Sequence, residues 1–215
     1  MCPYFLIVLS AYLLGSLNGS LLLGRLRGVD IREQGSGNAG GTNALRTQGK
    51  AFALGVVLID IGKAVAAVAL LPRAIPSSMW LEVSCAFAAI VGHVYPIFHG
   101  FRGGKGVATV LGALLALSPT LLGLMLGVWL LAVVIFGYVG LGSMLATASL
   151  PILAWTAVQR GWLAESDLSA WVSFGIICAA FVIYTHRSNI KRMREGREPR
   201  AKSLWLLGKW RSPET

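Results

Sequence analysis

Long apolar runs separated by short loops set the terms on which this chain can fold. Five of them, at 4–24, 51–71, 79–98, 140–158 and 168–184, meet or approach the about 20 residues that a helix needs to cross a bilayer core of about 30 Å. A further apolar stretch, 107–136, would make a helix about 45 Å long, too long for one upright span and too short for two ordinary ones. Composition agrees with lipid as the main solvent: 55% of the residues are apolar and 13% charged, against about 45–50% and about 25% in soluble domains. The 215 residues leave no room for a sizeable soluble domain beside the membrane part. The first run lacks a basic segment ahead of it and is too long for the apolar core of a signal peptide, so it reads as a retained helix.

The basic residues decide topology. Of 19 Lys and Arg, five lie within 25–50, two within 102–105 and nine from Arg187 onward, while the loops at 72–78 and 159–167 hold one each. The positive-inside rule places the first three groups in the cytoplasm. For 102–105 and the C-terminal tail to share that side, 107–136 must cross twice. Ser118-Pro119 is the natural break, because proline disfavours helix at the residue before it and lacks an N–H. The expected fold class is an all-α polytopic integral membrane protein of seven transmembrane helices, with the N-terminus outside and the C-terminus cytoplasmic. The short half, 107–117, should be shielded by neighbours or lie in a wet interior.

Gly55, Gly62, Gly112, Gly123, Gly127 and Gly142 are expected to serve close helix packing. Cys2, Cys85 and Cys178 show neither metal spacing nor pairing, and the latter two read as small hydrophobes. A net charge of +10 could suggest nucleic acid, but the cations sit in clusters between apolar runs rather than across a hydrated domain, so no nucleic-acid partner is expected. The basic tail after residue 198, with Trp205 and Trp210, reads either as a short helix on an anionic leaflet or as a disordered segment.

Three polar clusters carry more than topology requires. In the first, glycines at 35, 37, 40 and 41 leave backbone N–H groups uncovered, Ser36, Asn38, Thr42 and Asn43 add neutral donors, and Arg32 and Arg46 supply bidentate charge. This is a phosphate cradle by composition; a flexible Gly/Ser connector is the plainer reading. Gly35, Gly37 and Gly40 also match the dinucleotide pattern, but an apolar helix precedes them where a strand is required. The second cluster, Gly103-Gly104-Lys105-Gly106, again pairs glycine backbone with a cation and is no Walker loop, because His99 stands where the first glycine belongs. His93 sits near the membrane end of a helix, where it is either a satisfied structural group or a functional one. In the third, His186 and Asn189 share a helix face at i and i+3, which a basic flank would not require. Asp60 and Lys63 have the same spacing inside a span and read as a neutralising pair.

These residues resemble the bacterial acyl-phosphate:glycerol-3-phosphate acyltransferases (PlsY). The likeness runs through Leu14-Gly-Ser16, Gly28-Val-Asp30-Ile-Arg32, the loop from Gly35 to Asn43 with Arg46, Gly92-His93-Val-Tyr-Pro96, the segment from Phe101 to Thr109, and His186-Arg-Ser-Asn189-Ile190, covering about residues 4–198. It implies a single acyltransferase domain over 1–198 in the bacterial inner membrane, with its active site on the cytoplasmic face. Such a protein moves a fatty acyl group from acyl phosphate to the 1-hydroxyl of glycerol 3-phosphate, giving lysophosphatidic acid, with no metal, cofactor or coenzyme A. Carried over position by position, it implies that Ser36, Arg46 and Lys105 bind glycerol 3-phosphate and that His186 and Asn189 hold its hydroxyls, with His186, Asn189 and Lys105 as the catalytic groups. Gly37, Asn38, Gly40, Gly41, Thr42, Asn43, His93, Gly103 and Gly104 would line the acyl-phosphate pocket. The chain departs from the family pattern at Ser188, where an acid is usual, and at Gly41, where alanine is usual.

An acyl phosphate is already activated, so the protein must position an alcohol and stabilise developing charge. His186, His93 or the leaving phosphate could accept the hydroxyl proton. The favoured route is substrate-assisted, with Asn189 and His186 orienting the hydroxyl. No Ser-His-Asp order and no cysteine near the glycine loops supports an acyl-enzyme. A transporter for phosphate-bearing solutes is the competing class, though no inverted repeat of the motifs is visible.

Overall fold

The computed structural model describes residues 3–206, and these are helical without strands. The helices are α1 (Pro3–Gly15), α2 (Gly19–Leu26), α3 (Gly41–Gln48), α4 (Lys50–Ala69), α5 (Met79–Val94), α6 (Val107–Leu117), α7 (Pro119–Phe136), α8 (Val139–Gln159), α9 (Leu168–Thr185) and α10 (Arg187–Arg194). Five segments, Lys50–Ala74, Met79–His99, Pro119–Phe136, Val139–Gln159 and Glu165–Thr185, are long and apolar enough to cross a membrane, and the bent pair α1–α2 brings the number to 6 if it counts as one span. The chain divides into two compact units, Met1–Pro119 and Thr120–Thr215.

In the first unit α4 is the central post, with α1, α2, α3, α5 and α6 packed on it. One core joins Ile7 and Ala11 of α1, Ala67 of α4, and Leu81, Cys85 and Ala89 of α5. The approach of α1 to α5 is close because Gly15 and Gly92 face backbone, where a β-carbon would run into Ala89 and into the Tyr12 carbonyl. A second core of Ile31, Ala44, Phe52, Ala53 and Val56 seats α3 and the loop before it on the start of α4. The short α6 is shielded as its length demands: Val110, Gly112, Ala113 and Leu114 are buried, and Gly112 lies against the backbone at Ile61.

The first apolar run differs from the single helix expected of it. It breaks after Gly15 and resumes at Gly19, bent by 46°. Asn18 is the cause: it leaves the helical region at φ −79°, ψ 120° and caps α2, its side-chain oxygen accepting from the Leu21 N–H at 3.2 Å.

In the second unit α8 and α9 pair along their lengths, with Gly175 of α9 leaving room for Pro151 inside α8. Gly142 lies against Trp129 and Val133 of α7. The break at Ser118-Pro119 falls where the proline placed it, between α6 and α7. Three of the packing glycines do not pack: a β-carbon at Gly62, Gly123 or Gly127 would meet nothing within 4 Å, because these positions look outward from their helices. Cys85 and Cys178 are buried and free, as small hydrophobes should be, whereas Cys2 lies outside the described residues. The tail is ordered as far as it is described. Arg200 stacks over Trp205 at 3.9 Å and Tyr138 at 4.9 Å, and the Trp205 indole N–H donates to the Ile135 carbonyl at 3.2 Å. The remainder of the expected interfacial helix, with Trp210, lies outside the described residues.

Candidate active site

The first glycine loop is held shut by one buried amide. Asn43 donates from Nδ2 to the carbonyls of Ile31 at 3.1 Å and Gln34 at 2.9 Å, and its Oδ1 accepts from the Ser36 N–H at 2.9 Å. This staple leaves Ser36, Gly37, Thr42 and Arg46 exposed and Asn38, Gly40 and Gly41 half-buried around it. The start of α3 has no side-chain cap, so the first N–H groups of that helix, at Gly41 and Thr42, are open to an anion.

The second loop folds back on the end of α5. Gly103 donates to the Val94 carbonyl at 3.0 Å and Gly104 to the His93 carbonyl at 3.2 Å. Gly106, at φ +87°, turns the chain into α6, whose start also lacks a side-chain cap. Lys105 stands between them, half-buried.

The two loops adjoin. A β-carbon at Gly104 would run into His93 Nε2 and come within 2.8 Å of the Ala39 carbonyl. Arg32 donates to the carbonyls of His99 at 2.9 Å and Arg102 at 3.2 Å, and to both oxygens of Asp30. The Arg32 hydrogen bonds hold the Asp30 carboxyl below its ordinary range. Within this unit the structure therefore brings the Ala39 end of the first loop against His93 and Gly104, with an uncapped helix start following each loop.

Two expectations change here. Arg32 is a clamp between loops rather than a phosphate ligand, since Asp30 two residues before it takes its fork. The glycines are also less bare than their composition suggests. The N–H groups of Gly37 and Gly40 bond Gln34 and Asn38, and those of Gly103 and Gly104 bond α5. Gly103 and Gly104 are glycine because neighbouring atoms occupy the β-carbon position.

Beneath both loops lies a buried ionic cluster. Lys63 Nζ is 2.9 Å from Asp60 Oδ1, 2.9 Å from His93 Nδ1 and 3.0 Å from the Leu17 carbonyl. Asp60 Oδ1 also accepts from the Gly19 N–H at 3.0 Å. Asn18 Nδ2 reaches the Ala39 carbonyl of the first loop at 3.3 Å. The Asp60–Lys63 pair exists as its spacing suggested; that it also takes in His93 and the α1–α2 break was not visible in the sequence.

In the second unit, His186 ends α9 and is buried with its Nδ1 at 2.8 Å from the Val182 carbonyl. A carbonyl only accepts, so the ring proton sits on Nδ1 and Nε2 is the basic nitrogen. Asn189, on α10, is buried and donates from Nδ2 to Glu198 Oε1 at 2.7 Å. Glu198 in turn accepts from Arg192 at 2.6 Å. The chain doubles back to deliver Glu198 because Gly196, at φ +67°, closes α10, with the Gly196 and Arg197 N–H groups bonded to the Met193 and Arg192 carbonyls. Sequence reasoning missed Glu198; the glycine after a basic helix was the available signal.

Apolar helices long enough to cross a bilayer, with two glycine loops that meet ahead of uncapped helix starts, define a multi-pass membrane protein. The chain belongs to the glycerol-3-phosphate acyltransferase family, whose model matches residues 5–196. It is 39% identical to the glycerol-3-phosphate acyltransferase of Chlorobaculum parvum, over 93% of this chain and 97% of that one. To the enzyme of the same name from Synechococcus elongatus it is 44% identical, over 90% and 92%. The fold matches the crystal structure of PlsY (YgiH), an integral membrane glycerol 3-phosphate acyltransferase, in its glycerol 3-phosphate form, with TM-score 0.80, 35% identity, and 95% and 98% of the two chains covered. The lysophosphatidic acid form of that protein matches with TM-score 0.79 and 34% identity. The protein is thus a multi-pass membrane acyltransferase.

Proposed function

We propose that this protein transfers a fatty acyl group from acyl phosphate to the 1-hydroxyl of glycerol 3-phosphate, releasing phosphate and lysophosphatidic acid, without metal or coenzyme A. The observation that supports the reading is the meeting at Ala39 and Gly104 of the two loops whose segments carry Ser36, Arg46, Lys105 and the uncapped starts of α3 and α6. Two phosphorylated substrates call for such a set of donors, and backbone N–H groups at helix starts favour the charge that develops as phosphate leaves. Ser36, Arg46 and Lys105 take the phosphate of glycerol 3-phosphate, and His186 and Asn189 hold its hydroxyls. Asn38, Thr42, His93 and the glycines 37, 40, 41, 103 and 104 shape the acyl-phosphate pocket, with Asn43 as the staple behind it.

The donor's own phosphate accepts the hydroxyl proton as it departs. His186 helps to hold the glycerol 3-phosphate hydroxyls and does not abstract the proton. Seven crossings, with α1–α2 as one and α6 as a short one, put the N-terminus outside and the basic loops at the cytoplasmic face of the bacterial inner membrane.

Proteoliposomes given radiolabelled glycerol 3-phosphate and palmitoyl phosphate test this reading. Lysophosphatidate formation that persists in EDTA is expected. Uptake without acylation would make the protein a transporter, and a loss in EDTA restored by Mg²⁺ would refute the metal-free route.

A further inference from the structure

His93 lies under the second loop, buried, with its two ring nitrogens in different company. Nδ1 faces Lys63 Nζ at 2.9 Å and Asp60 Oδ1 at 3.3 Å, and Nε2 abuts Gly104 where that residue's β-carbon would stand, next to the Ala39 carbonyl. An ammonium group has three hydrogens and no acceptor. The Lys63 hydrogens have three partners, the Leu17 carbonyl at 3.0 Å, Asp60 Oδ1 at 2.9 Å and His93 Nδ1 at 2.9 Å. Nδ1 is nearer to the ammonium than to Asp60 Oδ1, at 2.9 Å against 3.3 Å, so it accepts from Lys63 and the ring keeps its one proton on Nε2. A proton on Nδ1 would compete with the ammonium for Asp60 Oδ1 and face the ammonium at the shorter distance.

We propose that Lys63, anchored by Asp60, is a positioning residue that locks His93 as its Nε2–H tautomer, making His93 a hydrogen-bond donor into the glycine-loop pocket and never a base. The two histidines then have opposite polarity: His186 carries its proton on Nδ1 and offers Nε2 as an acceptor, whereas His93 offers Nε2–H. A donor suits an oxygen of the acyl phosphate, whose charge grows during transfer. The inference rests on the acyltransferase reading for its chemistry and on geometry alone for the tautomer.

The full-length protein in lipid nanodiscs, labelled with ¹⁵N-histidine, gives long-range ¹H–¹⁵N spectra of its 3 histidines, with His93 assigned by its loss in His93→Gln. The expected result is Nε2 protonated and Nδ1 bare across pH 6 to 9. A His93 protonated at Nδ1, or one that gains a second proton in that range, overturns the proposal. Lys63→Met should mix the tautomers and lower kcat on the order of 100-fold with the KM for glycerol 3-phosphate little changed, and Lys63→Arg should restore part of both. A changed tautomer with unchanged kcat overturns the positioning role. A wild-type protein that does not acylate glycerol 3-phosphate overturns the functional reading, while the tautomer spectrum stands or falls by itself.

Discussion

Asn189 Nδ2 donates to Glu198 Oε1 at 2.7 Å, nine residues along the chain, and Arg192 holds the other carboxylate oxygen at 2.6 Å. Both Asn189 and Glu198 are buried, so the carboxylate orients the amide with little competition from water. Glu198→Ala leaves Asn189 and Arg192 without that acceptor and should destabilise the chain by about 1.5–3 kcal/mol. The KM for glycerol 3-phosphate should rise as Asn189 loses its setting. Thermal unfolding in detergent and steady-state kinetics check this; an unmoved KM would detach Glu198 from the site.

Lys105→Ala should cost about 2–5 kcal/mol of substrate or transition-state binding if the ammonium meets a desolvated phosphate. The measurement is kcat/KM in proteoliposomes, with the unfolding midpoint as control for folding. Full activity would remove Lys105 from the site.

Asn43→Ala opens the first loop, because the carbonyls of Ile31 and Gln34 and the Ser36 N–H all lose their partner. A loss of about 1–3 kcal/mol in stability is expected for unmatched buried groups. Activity should fall with it, since Ser36 and Arg46 flank the staple. Unfolding curves and turnover of the same preparation test both.

Gly112→Ala and Gly62→Ala should act in opposite directions. The first drives a β-carbon into the backbone at Ile61 and should destabilise by about 1–3 kcal/mol. The second adds a methyl group where nothing lies within 4 Å and should stabilise α4 by about 0.5–1 kcal/mol. Paired thermal unfolding decides; equal shifts would contradict the packing.

The clamp between the loops gives a pH dependence. Arg32 lowers the Asp30 carboxyl in the folded chain, so the clamp stabilises above the ordinary carboxylate range and the gain is lost as pH falls through the lower folded value. Asp30→Asn should therefore unfold earlier than the unmodified chain at pH 7, with the gap closing below about pH 4. A gap independent of pH would refute the assignment.

The parts legible in the sequence were those that depend on near neighbours. Pro119 marked the boundary of α6 and α7 because its ring acts on the residue before it. Glycine, hydroxyl and amide residues in one short segment marked the irregular loop ahead of α3, and the i, i+3 spacing of Asp60 and Lys63 predicted their ion pair. What remained hidden depends on distant partners. The break at Asn18 was masked by apolar residues on both sides. The N–H groups of Gly103 and Gly104 go to carbonyls at the end of α5, which no local pattern reveals, and Arg32 took the acid two residues away from it. Glu198 reaches Asn189 only because Gly196 reverses the chain.

The bent first span also bears on how the protein is made. In a bilayer the Leu17 carbonyl and Gly19 N–H have no water to bond, and the side chains that satisfy them lie 46 and 41 residues later in the chain. The ribosome therefore delivers the first hydrophobic segment before its partners exist. That segment must enter the membrane unbent, or wait at a hydrated place, until α4 follows it. Insertion and final shape are two events for this helix, and the second requires a polar side chain to travel into lipid alongside its counter-ion.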